Sequence, residues 1–158
     1  MHRLAGLALA GPPVLAVLCV LAVVVAEQSG ARAFGAPPPA NIAEAAGTAR
    51  ADDMLRRLRL GEDPHRLYDL RPEVISSTVL KATPLEAAVW SRQELIVRLL
   101  EREGALRDDA HRQEIACLAA DLELDDMVEH LSPGGPPDCV PGQARERVQA
   151  RTRERDSS

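Results

Sequence analysis

The tetrad Thr83-Pro84-Leu85-Glu86 limits this chain more than any other feature. Thr83 is a helix N-cap, Pro84 suits the first helical position, and Glu86 completes a Thr-x-x-Glu capping box. A helix must start there, and Leu85, Ala87, Ala88 and Val89 give it an apolar, small-residue face. Gly104 lies sixteen residues after Ala88. Between them, Leu95, Ile96, Leu99 and Leu100 predict an amphipathic second helix that begins near Gln93. Glu94 and Arg98 stand four apart on its polar side, acid first. Gly104 suits the left-handed residue that ends a helix.

The same spacing recurs on both sides. Asn41-Ile42-Ala43-Glu44 is a second capping box, and Gly61 follows Ala45 by sixteen residues. Asp52 to Leu60 is the matching outer helix, with Met54, Leu55 and Leu58 inward. Downstream, Ile115 to Ala120 reads as a third inner helix, and Gly135 follows Ala119 by sixteen residues. Met127, Val128 and Leu131 line its partner. Three helix-turn-helix units in one register point to an all-α chain; a plain helical bundle is the other architecture with this pattern.

The central stretch, from Thr83-Pro84-Leu85-Glu86-Ala87-Ala88 to Gly104-Ala105, resembles an ankyrin repeat. Gly61-Glu62-Asp63-Pro64 is similar to the turn such repeats use. The departures are specific. Glu86 stands where the family places His, Arg92 replaces the usual inter-helix Gly, and the outer units lack Thr-Pro-Leu. The resemblance covers residues 41–135, divided 41–64, 83–107 and 109–135. It implies a short solenoid of about three units with an unknown protein as partner, no catalytic activity and no cofactor; the alternative is an exported helical protein that binds a small molecule or a metal, or is an enzyme with no recognisable motif. Residues 65–82 form an insertion that contains Tyr68 and the run Val74-Ile75-Ser76-Ser77-Thr78-Val79-Leu80. Such an insertion either contributes to binding or folds its apolar residues over an exposed edge. On the ankyrin pattern, Tyr68, Glu86, Trp90 and Arg92 are the candidate protein-binding residues. Trp90 suits packing under the insertion as well as a binding hot spot.

Leu4 to Ala26 carries no charge. As a helix it spans about 34 Å, enough to cross the hydrocarbon core of a bilayer. Residues 1–3 are its basic end, so the amino terminus is expected in the cytoplasm and the body outside. Gly11-Pro12-Pro13 interrupts the segment, and Val24-Val25-Ala26 and Ala31-Arg32-Ala33 are tolerable signal-peptidase sites. A single-pass anchor and a cleaved signal peptide, with a secreted or periplasmic body, both fit. Residues 27–40, rich in Pro, Ala and Gly, form a stiff linker.

Aromatic residues make up only 2% of the chain, so the core must be aliphatic. The net charge is -5, and residues 42–142 are acidic, which argues against nucleic acid as a partner. The last sixteen residues instead hold five Arg against three acids. The charged tail, 136–158, is expected to lack fixed structure and has no evident mate. Cys117 and Cys139 either pair in an exported body or stay as a core thiol and a loop thiol. His111, Cys117, His130 and Cys139 lack zinc-ligand spacing. Asp108-Asp109 and Asp125-Asp126 read as helix starts, and no phosphate loop or nucleophile elbow is present.

Overall fold

The computed structural model describes residues 37–72, 74–77 and 80–153. The chain divides between Pro37 and Pro38, and every element named here belongs to the second unit. The apolar segment 4–26, most of the linker and residues 154–158 lie outside the described residues. Among the described residues, no helix is long and apolar enough to cross a membrane.

The described residues form seven helices and one two-stranded sheet. The first pair is α1 (Ile42–Gly47) and α2 (Ala51–Arg59), the second is α3 (Pro84–Trp90) and α4 (Glu94–Arg102), and the third is α5 (Asp109–Asp121) and α6 (Asp125–Leu131). Each first helix starts on a capping side chain. Asn41, Thr83 and Asp108 accept from the backbone N–H three residues on. At Thr83 the box is reciprocal, because Glu86 also accepts from the Thr83 N–H at 2.8 Å. α1 packs on α3, and α3 on α5.

The three inter-helix turns are closed alike. Ala49, Arg92 and Glu123 have φ of 56°, 60° and 57°. The next residue bonds back to an alanine carbonyl: Arg50 to Ala45, Gln93 to Ala88, and Leu124 to Ala119, at 2.9, 2.8 and 3.0 Å. This is the Schellman closure, and it requires one left-handed residue. Gly61 and Gly104 close α2 and α4 by the same bonds. α6 ends differently, with Ser132 bonded to Val128, which leaves the third pair the least regular.

Three expectations change. The chain is mostly helical but not all-α, because the insertion carries β1 (Tyr68–Leu70) paired antiparallel with β2 (Leu80–Ala82). Leu70 faces Leu80 in register, and burial of both side chains fixes the hairpin. The tail is not without structure. It forms α7 (Gln143–Arg153), because Ala144 and Val148, one turn apart, both find an apolar seat. Leu95 does not belong to the inward stripe; it is 68% exposed, and Ile96, Val97 and Leu100 face the core instead. The inward face is centred one residue later than the leucine spacing suggests.

The insertion also folds inward at its tip. Ile75 packs against the core and lies so close to Gly47 that an added Cβ there would meet its Cγ2 at 2.7 Å. The apolar residues of the insertion therefore do cover an edge between the first two pairs.

Candidate functional site

The four candidate residues do not form one patch. Tyr68 is half-buried at the root of the hairpin, where its hydroxyl donates to the Asp63 carbonyl at 3.0 Å and Arg66 lies over its ring. Burial, followed by the nearby Glu62 charge, pushes its phenol pKa up. Trp90 is half-buried against the core at the end of α3. Arg92 follows two residues later and is exposed. Glu86 sits in the first turn of the same helix, at its other end.

Glu86 is not a surface residue. It is 8% exposed, and both its carboxylate oxygens accept from Arg151 Nη1 at 2.9 Å. α7 covers its carboxylate, so Glu86 does not share an exposed face with Trp90 and Arg92 in this structure. Sequence reasoning could not see this, because the pair spans 65 positions.

Arg92 borders an open cleft of about 330 Å³ between the turn of the second pair and that of the third. Glu94, Glu123, Asp125, Asp126 and Met127 share the lining. Arg92 donates to the Leu122 carbonyl at a long 3.5 Å, and Glu94 is already paired with Arg98 at 2.6 Å. Four of the seven lining residues are acidic and one, Arg92, is basic, so the groove is acidic on balance.

Two other polar clusters hold the body together. Glu44 is fully buried at the start of α1. It accepts from the backbone N–H of Ala40 at 2.6 Å and of Arg71 at 2.9 Å, and from the Arg71 guanidinium at 2.6 Å. Burial alone would raise its pKa, but the Arg71 side chain and the two backbone donors outweigh that and hold it low. Glu101 pairs with Arg112 at 3.1 Å and with His130, linking α4 to the third pair. These are structural uses of charge.

Cys117 of α5 and Cys139 form a disulfide, with Cα atoms 5.5 Å apart. The bond closes the question left open by the sequence and is compatible with an extracytoplasmic body. Asp108 caps α5, and Asp125 and Asp126 sit in the first turn of α6, as their positions suggest. Among the described residues, no three metal-ligating side chains come together. No family model, curated protein or solved structure matches the chain.

Proposed function

We propose that residues 41–135 form a short ankyrin-like stack that recognises another protein, carried on a membrane anchor with the body on the extracytoplasmic side. The reading rests on one observation: three helix pairs close their turns with a left-handed residue at the same place and the same bond back to an alanine carbonyl. The three left-handed turn residues, Ala49, Arg92 and Glu123, each precede a positive-φ glycine by twelve positions. A chain built from one repeated unit, with its first helices packed in line, presents rigid turns side by side. Such turns bind at little ordering cost.

The acidic cleft at Arg92 is the best-placed exposed surface for that role. Its charge suits a basic segment of the partner. The apolar stretch 4–26 and the disulfide support the placement outside the cytoplasm; secretion after cleavage is the alternative, and a tag after Ser158 that fractionates with membranes decides against it.

A photo-reactive residue in place of Arg92 should give one discrete adduct in intact membranes, and the same group in place of Arg102 should give none. Reversal of charge at Asp125 and Asp126 should abolish the adduct. Adducts of equal yield from both positions, or from neither, would remove the recognition reading.

A further inference from the structure

The basic tail has a mate within its own chain. α7 lies against β2 and α5, with Ala144 and Val148 buried and Arg151 half-buried on the same face. Three body acids meet it in order along its length. Asp121 accepts from the Gly142 and Arg145 N–H groups at 2.6 and 3.0 Å, at the helix N-terminus, where the dipole favours a carboxylate. Glu114 pairs with Arg147 at 2.9 Å, and Glu86 takes Arg151 at 2.9 Å. The seat therefore reads a helix by direction, by small apolar side chains four apart, and by arginines four apart.

α7 itself is weakly held. Only Ala144 and Val148 bury apolar side chains, and the Arg147–Glu114 pair is largely exposed, so it contributes little in water. A helix of eleven residues does not persist alone. Its occupancy comes from tethering. The disulfide fixes Cys139 to α5, which leaves only Val140, Pro141 and Gly142 before α7 begins. A short leash keeps the local concentration of α7 high and disfavours exchange with a second copy.

We infer that the row Asp121, Glu114 and Glu86 is a receptor for an arginine-bearing amphipathic helix of a partner protein, and that α7 is its built-in competitor. A partner helix carrying the α7 pattern displaces α7, which then frays. This deepens the recognition reading by naming the chemistry of the partner. It does not use the Arg92 cleft, so failure of the cross-link there and failure here are separate results.

The test uses the full chain and a fluorescent peptide of residues 143–153 as probe. In a Val148→Asp, Arg151→Glu variant, α7 should leave its seat, and the peptide should bind at least tenfold more tightly than to the unaltered chain. Adding Glu114→Lys to that variant should reverse the gain, and a peptide with Val148→Asp should not bind. In the unaltered chain, amide hydrogens of 146–151 should exchange at least a hundredfold faster than those of 87–90. Three results would overturn the inference: exchange of α7 together with α3, which makes it part of the cooperative core; no gain in peptide binding; or dimerisation of the variant chain, which makes a second copy the occupant.

Discussion

Glu86 and Arg151 meet at 2.9 Å although 65 residues separate them, and the same carboxylate accepts from the Thr83 N–H at 2.8 Å. One side chain thus starts the central helix and fastens the last one. Removing it exposes a buried backbone donor and strands a cation, whereas removing Arg151 leaves the cap intact. Glu86→Ala should cost about 2 kcal/mol and Arg151→Ala about 1 kcal/mol or less. Urea unfolding of both single variants and the double variant measures the coupling. A coupling energy near zero would mean that the pair is cosmetic.

The disulfide closes a loop of 22 positions that contains α6 and its turn. On the chain-entropy account a loop of that size stabilises by about 3 kcal/mol. Cys117→Ser with Cys139→Ser, or reduction, should lower the urea midpoint accordingly. The loss should show first in α7, whose leash lengthens. Loss of stability with α7 exchange unchanged would place the effect in the third pair alone.

Two titrations should shape stability against pH. His111 is nearly buried, and its Nδ1 accepts from the Arg107 N–H. Burial, then the Arg107 charge, lowers its pKa, against the opposing pull of Glu114 and Glu86, with His65 adding to the lowering. The unfolded chain therefore binds a proton first. This contribution is complete above about 6.5 and is lost as pH falls below it. Glu44 has its carboxyl held low, so its contribution persists to about 4.5 and is lost below that. Denaturation midpoints should fall in two stages on acidification. His111→Asn should flatten the upper stage and Glu44→Gln the lower. A single fall that neither variant alters would refute both assignments.

What the sequence revealed and what it hid divide along a physical line. Caps, glycine closures and apolar spacing are local, so α1 to α6 and their Asn41, Thr83 and Asp108 caps could be read directly, although the box read at Asn41 is only half made, because Glu44 accepts from Ala40 and Arg71 instead. Contacts across the chain could not. Val148 is the single branched apolar residue of an α7 otherwise rich in Arg, and its burial depends on a seat made by β2 and α5, far upstream. Arg71 reaches Glu44 over 27 positions, with no periodicity to announce it. Leu95 misled because leucine fits either face of a helix, and only the position of α3 decides which face turns inward. Of the four candidates, the structure places Arg92 at the cleft and Glu86 under α7. Arg92 sits in the turn that Trp90 leads into, but nothing local marks Glu86 as spoken for by the tail.

The repeated turns give the last prediction, and it depends on sign. Arg92 adopts φ of 60°, a conformation that costs a residue with a Cβ about 1 kcal/mol. Arg92→Gly removes that cost but loosens the unfolded chain by about half as much, so the net gain should be about 0.5 kcal/mol. Its long contact to Leu122 is too weak to reverse this. Gly104 is the opposite case. Its φ is 80°, and an added Cβ would meet nothing within 4 Å, so any penalty is purely one of backbone conformation. Gly104→Ala should destabilise by about 1 kcal/mol and Gly104→Val by somewhat more, the branched side chain tolerating positive φ less well. Thermal unfolding of the three variants measures both signs together. If Arg92→Gly loses stability, Arg92 is held by an interaction stronger than the 3.5 Å contact, and the equivalence of the three turns would lose its physical basis.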